Sequence, residues 1–75
     1  MRGRDTVAEN VRRLRLEKGW SQEHLADEAG ITRNYVGHVE RSEKAATVDV
    51  LDKLAAAFGV PSHMLLKPSN HSSTD

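Results

Sequence analysis

The sequence contains no cysteine, which excludes disulfide bonds and thiolate metal sites as means of stabilising a chain of only 75 residues. It has no apolar run near the roughly 20 residues that cross a bilayer, and its N-terminus, MRGRDTVAEN, lacks the apolar segment of a signal peptide. Aromatic residues are few, and no stretch alternates apolar and polar positions as a half-buried strand does. These absences predict a single all-α domain in the cytoplasm that makes no contact with a membrane.

An excess of either charge is also missing, because 11 basic residues balance 11 acidic ones. A neutral chain argues against a nonspecific nucleic-acid coat, which is strongly basic. The basic residues nevertheless concentrate in the first quarter and in the middle of the chain, at Arg2, Arg4, Arg12, Arg13, Arg15, Lys18, Arg33, Arg41 and Lys44. For most of them taken singly, a solvated helix face of mixed charge is the simpler interpretation.

The spacing of apolar residues and the placement of capping residues predict five helices with short connections. The first helix is expected from Thr6 to Lys18, capped by Asp5 or Thr6 and ended by Gly19. The next three begin after the caps Ser21, Thr32 and Thr47, with Gly30 and Gly59 ending the second and fourth, and a short fifth helix starts at Pro61 or Ser62. This divides the chain into a flexible basic N-terminus (1–5), a folded domain (6–67) and a polar flexible tail (68–75).

Two apolar features define the predicted core. Trp20 precedes the Ser21 cap and Leu25 follows that cap by four residues, which is the spacing of a hydrophobic staple. Trp20 is therefore predicted to belong to the core and not to a base-stacking platform. The fourth helix carries a predicted apolar stripe at Val48, Leu51, Leu54, Ala55 and Phe58.

The third helix has the chemistry for reading DNA bases. Only three residues, AGI, connect it to the second helix, and a tight glycine-containing turn of this kind is typical of a helix-turn-helix. Residues spaced i, i+1, i+4, i+5 and i+8 share its outward side, namely Arg33, Asn34, Gly37, His38 and Arg41. Arginine pairs bidentately with guanine and asparagine with adenine in the major groove. Gly37 is expected to remove bulk where the helix presses closest to DNA, the alternative being a solvent face with a glycine that serves packing.

The segment LRLEKGWSQEHLADEAGITRNYVGHVERSEKAATVDVLDKLAAAFGVPSHMLL resembles the lambda-repressor-like helix-turn-helix family, also called the xenobiotic response element (XRE) type. The resemblance covers residues 7–66, and its most specific parts are LR..KGWSQ..LA...GIT..Y and LDKLAAAFGV. It implies a compact five-helix bundle that binds operator DNA, usually as a homodimer, and regulates transcription.

The same resemblance implies roles for individual positions. The base-reading positions are Gln22, Arg33, Asn34, Gly37 and His38, and those near the DNA phosphates are Thr32, Tyr35, Arg41, Ser42 and Lys44. Arg15 and Glu40 match a pair that forms an interhelical salt bridge in relatives. The chain departs from the family in the loop RSEKAA, which lacks the frequent glycine, and at Pro61, where a serine cap is common.

The end of the domain is expected to form the dimer surface. Met64, Leu65 and Leu66 are three adjacent apolar residues on a short helix, and they cannot all face its own core. Phe58 and Val60 lie close by in sequence and complete the expected interface. The alternative is that all three cap the core of a protein that binds as a monomer.

Other function classes are less well supported by the residues. Ser21, His24 and Asp27 lie close together, but Ser21 is a cap and nothing indicates an oxyanion hole, so an enzyme is not expected. The four histidines do not have metal-ligand spacing, and no cofactor, metal or small-molecule ligand is expected. Two alternatives stay open: a protein-interaction module of the same fold, such as an antitoxin-like component, and a controller of a restriction-modification operon.

Overall fold

The computed structural model describes residues 3–68, with side chains from residue 5 onward. It contains α1 (Gly3–Glu17), α2 (Gln22–Ala29), α3 (Arg33–Glu40) and α4 (Val48–Phe58), followed by one 3₁₀ turn (Ser62–Leu65). Within residues 3–68 there is no strand, which confirms the all-α prediction, and no helix is long and apolar enough to cross a membrane. The count of five helices is not confirmed, because the last element is a single 3₁₀ turn.

The residues that flank the 3₁₀ turn explain why it does not grow into a helix. Pro61 stands at its N-cap and offers no side chain to accept a hydrogen bond. The backbone N–H of Met64 donates to the carbonyl oxygen of Pro61 at 3.0 Å, the i→i+3 pattern of a 3₁₀ turn. Pro68 disfavours helical backbone at the residue before it, so the segment ends almost at once.

Asn10, which is fully buried in α1, attaches the 3₁₀ turn to the rest of the protein. Its Nδ2 donates to the carbonyl oxygens of Leu65 and Lys67 at 2.8 and 2.7 Å. A buried amide is stabilising only when its donors are satisfied, and here they satisfy two carbonyls at the end of the domain. The segment that carries the expected dimer surface is therefore fixed to α1.

The helix α1 begins at Gly3, three residues before the predicted start, so Asp5 and Thr6 lie inside the helix and do not cap it. An acidic residue in the first turn interacts favourably with the helix dipole and supports the longer helix. The predicted C-terminal end is confirmed: Gly19 has a φ of 72°, and the N–H of Trp20 donates to the carbonyl of Arg15 at 3.0 Å. Residues 1–2 and 69–75 of the predicted flexible ends lie outside the described residues.

The three internal N-caps are confirmed. Ser21, Thr32 and Thr47 have extended backbone, and their hydroxyl oxygens accept from the N–H three residues later at 3.0, 3.1 and 3.2 Å. Gly30 and Gly59 end α2 and α4 with φ values of 72° and 76°. These caps fix where α2, α3 and α4 begin and where α2 and α4 end.

The core is built from one side of every helix, and its most completely buried apolar side chains are Val11, Leu25, Val36, Val39, Leu54 and Leu65. The predicted stripe on α4 is wrong at Val48, which is 75% exposed because it is the first residue of the helix. Val50 packs in the core instead, at a spacing of four residues from Leu54. Trp20 is half-buried against the core, as predicted, and stacks on Phe58 with 6.0 Å between ring centroids.

Candidate nucleic-acid interface

The turn between α2 and α3 is short because a left-handed glycine reverses the chain. Gly30 adopts this conformation, and the N–H of Ile31 donates to the carbonyl of Ala26 at 3.0 Å. Val36 and Val39 of α3 are then buried to 0% and 1% exposure against the core. The opposite side of α3 consequently faces away from the protein.

The first turn of α3 presents two polar side chains without internal partners. Arg33 and Asn34 are exposed, and neither makes a hydrogen bond or ion pair with any of the residues that the structure describes. The Thr32 cap fixes the start of the helix beside them. Their donors and acceptors are therefore available to an external ligand, at the end of the helix where a helix-turn-helix reads bases.

The space beside Gly37 is filled by the side chain of Arg41, one helical turn later on the same side of α3. Gly37 is buried, and a Cβ added at this position would lie 3.0 Å from Nη1 and 3.6 Å from Cζ of Arg41. The Arg41 side chain therefore lies over the bare backbone of Gly37 on the outward side of α3. In the free protein, the space left by the glycine is occupied by a guanidinium group of the same helix.

One carboxylate binds both basic side chains at the C-terminal end of α3. Oε1 of Glu43 lies 2.8 Å from Nδ1 of His38, and Nε and Nη2 of Arg41 donate to Oε2 and Oε1 at 3.1 and 3.2 Å. Hydrogen bonds from Arg41 and His38 hold the pKa of the Glu43 carboxyl below its usual value, and the same contact raises the pKa of Arg41. Because its pKa is lowered, the Glu43 carboxyl is ionised at neutral pH. Its contact with Arg41 is lost only as pH falls through that lowered pKa.

Ser42 makes this contact possible through its backbone. It is the non-glycine residue with positive φ among those described, at 60°, in the loop that lacks the family's frequent glycine. A left-handed conformation costs a non-glycine residue roughly 1–2 kcal/mol. The N–H groups of Ser42 and Glu43 donate to the carbonyls of Val39 and His38 at 3.1 and 2.8 Å, which offsets part of that cost.

A buried ion pair joins α1 to the end of α3. Nε and Nη2 of Arg15 donate to the two carboxylate oxygens of Glu40 at 2.7 and 3.1 Å, and their side chains are only 12% and 4% exposed. Arg15 also donates to the carbonyl of Trp20 at 2.8 Å, and Nε2 of Gln22 donates to Glu40 at 3.1 Å. The pair implied by the family resemblance is thus present, and it also positions Gln22 at the start of α2.

A depression of about 380 Å³ lies where α1, α2 and α3 meet, and it is lined by Arg12, Arg15, Gln22, Glu40 and Arg41. Three of these five residues are arginines, and the single carboxylate is already bound by Arg15. Arg12 is exposed and has no hydrogen-bonding partner within residues 5–68. The depression therefore has the charge to accept an anion of the size of a phosphate group.

Tyr35 in α3 and Lys44, beyond the end of that helix, contact each other only weakly. The exposed Lys44 holds its Nζ 5.9 Å from the centroid of the Tyr35 ring, a distance at the limit of a cation–π contact. The Tyr35 hydroxyl donates to the carbonyl of Ala45 at 3.5 Å, which is a long and weak hydrogen bond. Both groups are therefore free to exchange these contacts for a phosphate.

The structure divides the expected dimer surface into two sets. Phe58 and Leu65 are 5% and 0% exposed, so their side chains belong to the protomer's own core and cannot meet a second copy. Met64 and Leu66 are 40% and 52% exposed, and Val60 is half-buried. The expectation that at least one residue of the run Met64 to Leu66 stays exposed is confirmed, and the candidate surface is reduced to these three residues.

Comparison with known proteins identifies the family to which this chain belongs. The helix-turn-helix family model HTH_3 matches residues 11–65, which is most of the chain and includes all four α-helices in whole or in part. This chain belongs to the HTH_3 helix-turn-helix family, the XRE type. Its relatives are named as HTH-type transcriptional regulators, so this is a DNA-binding family of regulators.

Three solved structures illustrate the HTH_3 fold of this chain. The hypothetical transcription factor NHTF from Neisseria is 43% identical with a TM-score of 0.87, covering 91% of this chain and 78% of that one. The restriction-modification controller protein C.AhdI from Aeromonas hydrophila is 37% identical with a TM-score of 0.79, and the match covers 83% of this chain and 94% of that one. The third is the structure of SinR, the master regulator for biofilm formation, in complex with DNA. It is 31% identical with a TM-score of 0.77, and the match covers 81% of this chain and 98% of that one.

The HTH_3 chain is shorter than some of its curated relatives. A hypothetical transcription factor of Neisseria meningitidis is 45% identical over 65 residues, and the match spans 61% of its length. The match to the regulator SutR of Escherichia coli spans 35% of that protein.

Two residues of the HTH_3 site were missed by the sequence analysis. Arg12 was read as part of a mixed-charge face, although it lines the depression beside Gln22 and Arg41. Glu43 was read as part of a loop, although it binds two side chains of α3. The role of Arg12 could have been found from its position. It precedes Arg15 by three residues, about one helical turn, and so lies on the same side of α1. No comparable signal exists for Glu43, because its position depends on the backbone of Ser42.

Proposed function

We propose that this protein is a sequence-specific regulator that binds a near-palindromic operator in double-stranded DNA as a homodimer, with α3 in the major groove. The observation that carries the proposal is that Arg33 and Asn34, at the start of α3, are exposed and have no partner among the residues that the structure describes. These two side chain types pair bidentately with guanine and adenine, and they lie where a helix-turn-helix contacts base edges. In this proposal Gln22, Gly37 and His38 complete the base-reading surface.

The proposed phosphate contacts surround that surface. Thr32, Tyr35, Arg41, Ser42 and Lys44 are assigned to the DNA backbone, and we add Arg12 because it lines the same depression as Gln22 and Arg41. Contacts of this type supply affinity that does not depend on sequence and that falls with salt. The SinR structure in complex with DNA supports a duplex as the partner of this fold.

A homodimer follows from the small number of bases that one α3 helix can read. A single recognition helix contacts too few base pairs to select one site in a genome. Two copies related by a twofold axis double the contacts and require half-sites about one DNA turn, roughly 34 Å, apart. Met64 and Leu66, exposed near the end of the domain, are the proposed centre of the interface.

Selection of binding sites from a randomised duplex library tests the proposal. The operator recovered is then titrated by fluorescence anisotropy against variants of the protein. Arg33→Ala should weaken specific binding by about 1–3 kcal/mol and relax the preference at one base pair in each half-site. Arg12→Ala, Arg41→Ala and Lys44→Ala should weaken binding to every duplex and reduce the salt slope by about one.

Arg13→Ala is the matched control, because the Arg13 guanidinium is bound by Glu17 and Asn10 and does not line the depression. It should bind as the wild type does. The base-reading assignment is contradicted if the library yields no enriched sequence, or if Arg33→Ala and Gln22→Ala bind the selected operator as tightly as the wild type.

A narrower role as a restriction-modification controller is favoured by one comparison. The solved controller C.AhdI is 37% identical and is covered over 94% of its length, so this chain corresponds to nearly the whole of a controller protein. The position of the selected operator in the source genome tests this role. An operator adjacent to restriction and modification genes supports it, and an operator far from any such genes contradicts it.

A further inference from the structure

We propose that Glu43 is a built-in competitor of the DNA backbone, whose carboxylate occupies Arg41 in the free protein and is displaced when a duplex binds. Its effect is to weaken binding to every DNA sequence by a similar factor. The inference rests on the proposed function, in which α3 meets the duplex and Glu43 itself has no part.

The backbone delivers Glu43 to the side of α3 that is proposed to face DNA. Ser42 is in the left-handed region with a φ of 60°, and the N–H of Glu43 donates to the carbonyl of His38 at 2.8 Å. The chain therefore turns back over the end of α3 immediately after the helix. The carboxylate lies beside the two basic side chains of the last turn and does not extend into solvent.

The contact with Arg41 uses the same atoms that a phosphate would use. Nε and Nη2 of Arg41 donate to the two oxygens of Glu43 at 3.1 and 3.2 Å, which is the parallel bidentate geometry that arginine also offers to phosphate. Oε1 of Glu43 in addition contacts Nδ1 of His38 at 2.8 Å. While the carboxylate is bound, this edge of the guanidinium has no donor left for the DNA backbone.

The contact is weak enough for DNA to displace. The side chains of Arg41, Glu43 and His38 are 56%, 50% and 39% exposed, and exposed ion pairs are screened by salt and solvent. A duplex presents a dense array of phosphates, whose attraction for an arginine exceeds that of one exposed carboxylate. Glu43 therefore acts as a competitor that lowers affinity without abolishing it.

A different role for Glu43 makes the opposite prediction. If its carboxylate held Arg41 in the position needed on DNA, removing the charge would weaken binding. If it competes with phosphate, removing the charge strengthens binding. The sign of the change in affinity for the Glu43→Gln variant therefore separates the two roles.

The test uses a short duplex of random sequence, labelled for fluorescence anisotropy and titrated at several salt concentrations, together with the selected operator. Glu43→Gln should bind both duplexes about two- to fivefold more tightly than the wild type, the range expected from freeing one exposed ion pair. Its salt slope should match that of the wild type, because Arg41 contacts the same phosphate in both complexes once Glu43 is displaced. Glu9→Gln is the matched control, since Glu9 is exposed on α1 and has no hydrogen-bonding partner within residues 5–68.

A double-mutant cycle assigns the effect to Arg41. In the Arg41→Ala background, Glu43→Gln should give no more gain than Glu9→Gln does. A gain that persists undiminished without Arg41 overturns the proposal, and so does a Glu43→Gln variant that binds no more tightly than Glu9→Gln.

A measurement without DNA keeps the inference separate from the proposed function. The NMR signal of the Arg41 Nε–H should move, and its exchange with water should become faster, in Glu43→Gln but not in Glu9→Gln. An unchanged signal overturns the proposed contact. A wild-type protein that shows this contact but binds neither duplex at low salt contradicts the proposed function and with it the competition.

Discussion

At the residue scale, Gly37 combines a cost in stability with a position on the outward side of α3. Glycine inside a helix is about 1 kcal/mol less favourable than alanine, and the group that an added Cβ would meet is the far end of the Arg41 side chain, at 3.0 Å. Because that end is flexible, we expect Gly37→Ala to raise the free energy of unfolding by up to about 1 kcal/mol. The added methyl group should at the same time weaken binding to the selected operator. Urea denaturation and anisotropy measure the two effects.

The control for Gly37→Ala is Gly30→Ala. Gly30 has a φ of 72°, a backbone conformation that is strained for alanine however much space surrounds the added Cβ. This variant should lose stability, because a left-handed conformation costs alanine roughly 1–2 kcal/mol. A Gly37→Ala variant that is less stable than the wild type, or that binds the operator more tightly, would show that the glycine serves packing alone.

Arg15 and Glu40 contribute to stability as a buried pair. Glu40 is 4% exposed and accepts from both Arg15 and Gln22, so replacing Arg15 leaves a carboxylate with little solvent around it. We expect Arg15→Met to lower the free energy of unfolding by about 3–5 kcal/mol. Arg13→Met, which removes an exposed pair with Glu17 on the same helix, should change it by less than about 1 kcal/mol. Equal losses of unfolding free energy in the two variants would mean that burial of the Arg15–Glu40 pair adds nothing to stability.

At the scale of the elements, Asn10 connects the first helix to the last turn. Its Nδ2 satisfies the carbonyls of Leu65 and Lys67, so the nearly isosteric Asn10→Leu leaves both without this donor. We expect a loss of about 1–3 kcal/mol in the free energy of unfolding, together with faster amide exchange in the 3₁₀ turn than in α4. Asn34→Leu, at an exposed position, should leave both quantities unchanged. Uniform exchange rates in Asn10→Leu would contradict a specific attachment of the turn.

The elements that could be predicted are those defined by local chemistry. The caps Ser21, Thr32 and Thr47 act on an N–H three residues away, and the left-handed glycines act within one turn, so sequence spacing suffices to find them. The reduction of the fifth helix to a 3₁₀ turn has a local cause, Pro61 and Pro68, whose combined effect was underestimated. The attachment of that turn to Asn10, 55 residues earlier in the sequence, could not be predicted because it depends on how α1 packs.

The same distinction applies to the candidate site at the scale of the whole molecule. Helical periodicity was enough to place Arg33 and Asn34 on the outward side of α3. It could not show that the Arg41 side chain lies over Gly37, which depends on the side-chain conformation of Arg41. Nor could it show that Glu43 reaches His38, which depends on a positive φ at Ser42. The role of Arg12 likewise required the arrangement of three helices around one depression.

The assembly of two copies depends on which apolar residues near the end of the domain are accessible. Leu65 is completely buried, so a charge placed there would unfold the protomer and give no information about a dimer. Leu66 is 52% exposed and lies two residues after Met64 in sequence, and a charge placed there leaves the core intact. Exposed apolar side chains that lie together near a domain end favour association, because burying them between two copies removes them from water.

We therefore expect the wild type to sediment as a dimer at micromolar concentration, and Leu66→Glu to sediment as a folded monomer, because a carboxylate buried between two copies has no partner charge. Leu16→Glu is the matched control: Leu16 is 56% exposed on α1, and this variant should stay dimeric. The Leu66→Glu monomer should bind a single half-site as well as the wild type does, yet lose the added affinity of a full palindrome. A monomeric wild type that binds one half-site as tightly as two would contradict the dimer, and dissociation of both variants would place the interface elsewhere.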